Sequence, residues 1–334
     1  MDVKKLETWY QKNHRKLSFR ETKNPYHIWV SEIMLQQTQV DTVLPYFEQF
    51  IVKFPTIKDL AEVHEEVLMK QVEGLGYYRR FRNMQKAAQE IIVKFQGIFP
   101  KTYEDVLSLP GIGAYTAGAI MSIAYNKPYS ALDGNVIRVL SRYLGDERDM
   151  RIEKNKKDLN RMNQSYVEQS HPEIYTQAMM ELGATLCKPK NPVCEYCPLA
   201  QHCVAYEQNR QHELPFLTKL KEPKAFHYIT LIIEDDDYLY LRKRDEELLK
   251  GMYEYPQYQN ESISLIEDEL MDKDIVIKIR DEYETYKHVF SHQIWNMEVH
   301  HAVLISGIDT SWTKVKKEQI KKIPMAIAHR KIIL

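Results

Sequence analysis

The sequence has no charge imbalance to speak of: across 334 residues, 46 Lys and Arg stand against 47 Asp and Glu. Bulk electrostatics therefore announces no polyanionic partner. The split along the chain is mild, 28 basic against 25 acidic residues over 1–210 and 18 against 22 beyond. That permits nucleic-acid contact through local patches in the first part without establishing it. No apolar run is long enough to span a bilayer, and "MDVKKLETWYQKNHRK" lacks the apolar stretch of a secretory signal, so a cytoplasmic protein without membrane contact is expected. Cysteine is absent outside residues 187–203, and no internal repeat or low-complexity tract is visible.

What is present divides in two. With 44% of its residues hydrophobic, the chain is long enough to bury a sizeable core, and its length suggests roughly two domains. From "PYHIWVSEIMLQQTQV" to "EIYTQAMMELGATLC" apolar residues recur at three- and four-residue steps with short Gly or Pro breaks, which predicts many short helices and no strands. After the polar "EQNRQHELPFLTKLKEPK", runs such as "AFHYITLII", "YLYLRKR" and "KHVFSHQIWNMEVHHAVLI" predict strands. The expected organisation is a helical domain over 1–213, a linker over 214–224 and a second domain over 225–334.

The four cysteines, Cys187, Cys194, Cys197 and Cys203, form C-x6-C-x2-C-x5-C. Such clustering implies one shared ligand, and without a secretory signal a pair of disulfides is disfavoured. Four thiolates suit zinc or iron, but zinc sites usually group their ligands as two close pairs, and only one pair is close here. Lys188 and Lys190, in a six-residue loop stiffened by Pro189 and Pro192, would suit phosphate contact or stand as a solvated pair.

Between two helical stretches, "SLPGIGAYTAGAI" (108–120) makes a tight turn at Pro110, Gly111 and Gly113. Backbone amides at the next helix start are then available to an anion. A dinucleotide fingerprint is excluded: Gly118 comes too late, and a helix rather than a strand precedes the turn. A hairpin that grips a phosphate and a plain helix connection both remain. "GLGYYRRFRNM" (74–84) interleaves Tyr77, Tyr78 and Phe81 with three arginines, fit either for nucleic acid or for an ordinary helix start.

One acid stands out. Glu32, in "VSEIMLQQTQV", has Ile28 and Trp29 a turn before it and Leu35 and Gln36 a turn after, none cationic. Desolvation among such neighbours raises a carboxyl pKa, whereas a partly exposed seam would leave it ordinary. Asp133, in "ALDGNVIRVL", has the plain reading of a helix N-cap.

Taken together, "VSEIMLQQTQV", "GLGYYRR", "LPGIGAYTAGAI", "LDGNVIRVLSR", "QAMMELGA" and the cysteine loop resemble the MutY family of adenine DNA glycosylases, in the endonuclease III superfamily. The resemblance covers residues 1–213 and, more weakly, the remainder. It implies an all-α helix-hairpin-helix glycosylase domain with an iron-sulfur loop at 187–203, followed by an α+β Nudix-like domain. The cofactor it implies is a 4Fe-4S cluster on the four cysteines, with zinc the competing assignment.

The resemblance also implies roles. Glu32 becomes the general acid that protonates the leaving purine, and Asp133 the carboxylate that stabilises the oxocarbenium-like sugar, with Asn135 holding Asp133 or the water. Bifunctional relatives carry a lysine nucleophile where this chain has Tyr115, so base removal without strand cleavage is expected. Gln37, Thr38, Leu75 and Tyr77 would surround the opposite base, while Arg20, Leu35 and Gln177 would contact the extruded adenine. Gly111, Gly113, Lys188 and Lys190 would meet the DNA backbone. One departure is "LSFR" (17–20) in place of the family's L-P-W-R, which puts Phe19 where the family has Trp.

The C-terminal part lacks the R-E-x-x-E-E core of catalytic Nudix hydrolases after Gly251, so recognition of 8-oxoguanine without hydrolysis is implied, with Ser291 and His292 of "HVFSHQIW" as contacts. The expected partner is double-stranded DNA carrying A:8-oxoguanine or A:G mispairs, bound by a monomer. A bifunctional glycosylase and lyase, and a non-catalytic lesion-binding protein, are the alternatives.

Overall fold

The computed structural model describes residues 1–220 and 222–332; Lys221 of the expected linker and the last two residues of the expected second domain lie outside them. The chain forms two compact units, one of Met1–Glu62 with Arg82–Lys219, the other of Val63–Phe81 with the described residues from Leu220 on. No helix among the described residues is long and apolar enough to cross a membrane.

The helices up to residue 207 are α1 (Val3–Asn13), α2 (Pro25–Leu35), α3 (Val40–Lys53), α4 (Ile57–Glu62), α5 (Glu65–Gln71), α6 (Arg79–Phe95), α7 (Tyr103–Ser108), α8 (Ala114–Ile123), α9 (Gly134–Leu144), α10 (Glu153–Glu168), α11 (Pro172–Thr185) and α12 (Val204–Glu207). Their starts follow local chemistry. Pro25 and Pro172 occupy first-turn positions, where a missing N–H costs nothing, and the side chains of Asn24, Thr102 and Asp133 accept from the backbone amides of Tyr26, Asp105 and Val136. Among the described residues before Lys224 no strand forms, as the three- and four-residue periodicity predicts.

In the first unit α2 packs against α3 and α8, and α11 packs against α1, α8 and α9. Leu6, Trp29, Met34, Phe50, Ile120, Leu140, Tyr175 and Leu182 are buried there. Each such side chain contributes roughly 1.5–3 kcal/mol by leaving water. Two glycines set how closely the elements approach. A Cβ on Gly118 of α8 would lie 2.0 Å from the Ser130 carbonyl oxygen, and one on Gly183 of α11 would lie 2.5 Å from Cβ of Asn135. Hydrogen alone fits at both, which draws the segment entering α9 against α8 and the start of α9 against α11.

In the second unit β1 (Lys224–Glu234), β2 (Tyr238–Lys243), β3 (Tyr253–Glu254), β4 (Gln257–Gln259), β5 (Val276–Val289), β6 (Gln293–Ser306) and β7 (Trp312–Lys316) form one sheet, with α13 (Ile263–Met271) and α14 (Ile327–Arg330) beside it. Along the sheet the order is β3-β2-β1-β6-β5, with β4 on β1 and β7 on β2; β1 and β6 run parallel and the other pairs antiparallel. Strand alternation splits the core between two clusters. Leu231 and Ile233 of β1 join Ile266 and Leu270 of α13, while Ile232 joins Trp295, Met297, Met325 and Ala328. This is the α+β architecture expected. The run "KHVFSHQIW" is broken at residues 290–292 into two antiparallel strands, and β5 extends far upstream of its readable part.

Candidate active site

A cavity of about 860 Å³ opens in the first unit, and Glu32, Tyr115, Asp133, Asn135, Arg20 and Gln177 all line it. Leu35, Gln37 and Thr38 line it too. Nine side chains assigned from the sequence thus converge from α2, α8, α9 with its N-cap, α11, the helical turn Ser18–Arg20 and the loop after α2.

Glu32 sits on the inner face of α2, 6% exposed. Burial pushes its carboxyl up to about 7, and the nearby Asp133 charge adds to that, against the Tyr115 hydroxyl and the Arg20 charge, which pull it down. Among the described residues its hydrogen-bond donor in the cavity is that hydroxyl, which donates to Oε2. Tyr115 itself is held well above the ordinary phenol range, chiefly by burial and then by the Glu32 charge, so it stays a donor.

Asp133 is indeed the N-cap of α9. Oδ1 accepts from the Val136 amide at 2.7 Å and Oδ2 from Nδ2 of Asn135 at 2.9 Å. Burial raises this carboxyl as well, but the Val136 and Asn135 donors and the Arg138 charge oppose the rise, and the positive end of α9 favours the anion. The capping reading and the carboxylate reading therefore describe one geometry. Burial raises both carboxyls; at Asp133 the Val136 and Asn135 donors and the Arg138 charge stand against that rise, and at Glu32 the Tyr115 hydroxyl and the Arg20 charge do.

Around them, Gln177 on α11 is 6% exposed; its Nε2 donates to the Glu173 carbonyl at 3.4 Å, while Oε1 has no hydrogen-bond partner among the described residues. Phe19 is buried and meets Phe47 edge-on at 5.8 Å between centroids, its ring on the cavity wall. Sequence neighbours gave Glu32 no cation, yet the fold brings Arg20 to it. Arg15 and Arg138 line the same cavity and Glu181 binds Arg15 and Arg20, and no local sequence motif marks the role of these three residues. Glu181 and Arg138 lie inside the quoted stretches "QAMMELGA" and "LDGNVIRVLSR", where a charged residue on an apolar helix face was the available signal.

Gly111 and Gly113 are exposed in the turn between α7 and α8, and α8 starts without a side-chain cap. Lys188 and Lys190 are exposed on the cysteine loop. That loop is held from α9: the Arg138 Nε donates to the Cys187 carbonyl at 2.8 Å, and the buried Arg142 donates to the carbonyls of Lys188, Pro189 and Leu214 at 2.7, 3.1 and 2.9 Å. Leu75, Tyr77, Ser291 and His292 belong to the second unit. Leu75 is buried and its carbonyl accepts from the buried Arg80 at 3.0 Å, so this arginine of the basic stretch faces inward. Tyr77 is 48% exposed with φ +48°, and Ser291 and His292 are exposed in the turn between β5 and β6.

The four cysteines form no disulfide and line one small cavity with Val139, Leu182, Leu199 and Arg142, whose Nη1 donates to Cys187 Sγ at 3.4 Å. Among the described residues no group of three or more His, Cys, Asp or Glu side chains is arranged to hold a metal ion as it stands. Four sulfurs facing one apolar cavity, with a guanidinium to offset negative charge, still fit a thiolate-ligated centre.

A family model described as "HhH-GPD superfamily base excision DNA repair protein" matches residues 30–168, and one described as "NUDIX domain" matches 228–334. An adenine DNA glycosylase of Buchnera aphidicola subsp. Acyrthosiphon pisum (strain APS) is 36% identical over 289 residues, spanning 86% of this chain and 82% of the relative. Its counterpart in Buchnera aphidicola subsp. Baizongia pistaciae (strain Bp) is 35% identical over 335 residues, spanning 96% and 92%. Among solved structures, a thermostable thymine-DNA glycosylase aligns with a TM-score of 0.56 at 27% identity, over 62% of this chain and 95% of that one.

Proposed function

The chain belongs to the adenine DNA glycosylase family, enzymes of base excision repair that hydrolyse N-glycosyl bonds, and we propose that it excises adenine opposite 8-oxoguanine or guanine in duplex DNA without cutting the strand. The observation that carries this reading is the pair of carboxylates in one cavity, Glu32 under the Tyr115 hydroxyl and Asp133 under the α9 amides.

Adenine must leave the stack to reach that cavity, at a cost of a few kcal/mol that is least for a mispair. Gln177, whose Oε1 has no hydrogen-bond partner among the described residues, would then turn that acceptor to the exocyclic amine, and Arg20, Leu35 and Phe19 supply wall contacts. Glu32 gives its proton to a ring nitrogen of the base as the glycosidic bond breaks and its electron pair leaves with the purine. The sugar that remains is oxocarbenium-like, and the Asp133 carboxylate, oriented by Asn135, stabilises it while water adds. None of the described residues lining the cavity is a lysine, and Tyr115 is engaged with Glu32, which favours a monofunctional enzyme over a lyase.

DNA is the partner. The turn at Gly111 and Gly113 and the Lys188 and Lys190 loop would meet phosphates, and Gln37, Thr38, Leu75 and Tyr77 the strand opposite. Ser291 and His292 would read 8-oxoguanine. Cys187, Cys194, Cys197 and Cys203 would hold a 4Fe-4S cluster, which when bound supplies four fixed anchors for the loop that carries the two lysines. The enzyme would act as a cytoplasmic monomer.

The test is base release from matched duplexes carrying A opposite 8-oxoguanine, G, C or T. Release from the first two, with strands intact until alkali is added and no borohydride-trapped adduct, is expected. Strand cleavage without alkali together with a trapped lysine adduct would make the enzyme a lyase.

A further inference from the structure

One buried carboxylate of the catalytic unit has no part in that scheme. Glu181 lies on α11, one turn beyond Gln177, and its side chain is wholly inaccessible. Oε1 accepts from the Arg15 backbone amide at 3.1 Å and from Arg15 Nε at 2.7 Å; Oε2 accepts from Arg15 Nη2 at 2.9 Å and from Arg20 Nη1. Burial alone would raise this carboxyl, but the Arg15 hydrogen bonds and the Arg20 charge hold it at about 2, so it is an anion at any working pH.

Buried ion pairs of this kind add little net stability, because desolvating the charges offsets their attraction. A functional account is available instead. The Arg20 side chain is 12% exposed and lines the cavity, and its charge reaches Glu32. Left uncompensated, a guanidinium there would favour the ionised form of the acid that must arrive protonated.

We propose that Glu181 is a positioning residue: it pins the Arg20 guanidinium in the cavity wall and offsets its charge, so that Arg20 faces the extruded base without stripping the proton from Glu32. The inference rests on the reading of Glu32 as general acid and adds the device that protects it. The groups that act on Glu32 are Tyr115 from α8, Asp133 at the head of α9 and Arg20 from the turn before α2; Asp41 of α3, Arg15 and Arg138 line the same cavity.

The test is single-turnover release of adenine opposite 8-oxoguanine from pH 5 to 9, with duplex affinity measured in parallel, for wild type, Glu181→Gln, Glu181→Asp, Arg20→Gln and Glu32→Gln. The basic limb of the wild-type profile reports loss of the Glu32 proton. In Glu181→Gln that limb should move down by about one pH unit, giving roughly tenfold slower release at pH 8, with duplex affinity unchanged. In Glu181→Asp, which keeps the charge, it should stay near the wild-type position. An unmoved limb in Glu181→Gln, or an equal displacement in Glu181→Asp, would overturn the proposal. Should Glu181→Gln lack the wild-type circular dichroism and melting temperature, Arg20→Gln decides: its limb should move up, and an unmoved one overturns the proposal. Glu32→Gln separates the layers. Full activity there removes the general acid itself, whereas an inactive Glu32→Gln beside an unmoved Glu181→Gln limb removes only the role of Glu181.

Discussion

The Tyr115 hydroxyl donates to Oε2 of Glu32 across 83 residues of sequence, and it is the hydrogen bond that opposes the upward pull of burial on that carboxyl. Replacing Tyr115 by Phe removes the donor while keeping the ring. The basic limb of the excision profile should then move to higher pH, opposite in sign to the shift expected for Glu181→Gln. Single-turnover rates across pH 6 to 9 give the check, and a limb displaced downward would mean that the hydroxyl does not act on Glu32.

Glu32→Gln should slow base release by ~10²–10⁴-fold, the usual worth of a general acid. It should also stabilise the fold at alkaline pH. Because the folded value of about 7 lies above the ordinary carboxyl value of 4.5, the protonated form is favoured in the fold, and wild-type stability falls as pH rises through that window. Gln has no proton to lose. Comparing denaturant melts at pH 5 and pH 8 should show the variant gaining up to about 3 kcal/mol relative to wild type between the two.

Asp133→Asn separates cap from catalyst. Asn caps a helix about as well as Asp, so the melting temperature should hardly change, whereas the anion facing the sugar is gone and release should fall by about 10²-fold or more. A variant that melts early and retains proportionate activity would restrict Asp133 to capping.

Gly118→Ala places a methyl group where the Ser130 carbonyl oxygen lies 2.0 Å away. Backbone rather than a flexible side chain must yield, so destabilisation of about 2 kcal/mol or more is expected from urea melts. Activity should fall further than stability alone explains, since the displaced segment leads into Asp133.

Purified protein should be brown with broad visible absorbance, and Cys197→Ser should lose both colour and iron. Metal analysis that finds one zinc and no iron in a colourless protein would replace the cluster by a zinc site.

Much of this was legible locally. Apolar spacing, Pro25 and Pro172 at first turns and the caps at Asn24, Thr102 and Asp133 mark the helices because they act over three or four residues. The apolar neighbours of Glu32 foretold its desolvation for the same reason. What acts across the chain was not readable: Arg20 meets Glu181 across 161 residues, and Arg138 meets the Cys187 carbonyl across 49. The upstream part of β5 is mostly exposed, with Ile277 and Ile279 only half-buried, so its alternation is too short to mark a strand in the sequence. The turn at residues 290–292 carries neither Gly nor Pro, and the apolar run reads straight through it.

Helix α9 joins two sites that are otherwise distant in kind. At its first turn it presents Asp133; from its later turns Arg138 and Arg142 grip the carbonyls of Cys187, Lys188 and Pro189. Eleven residues of helix make a strut of roughly 16 Å that cannot tilt at one end alone. Disturbing the sulfur loop should therefore be felt at both ends of the strut, as a misaimed carboxylate at one and as a loosened grip of Lys188 and Lys190 on the duplex at the other.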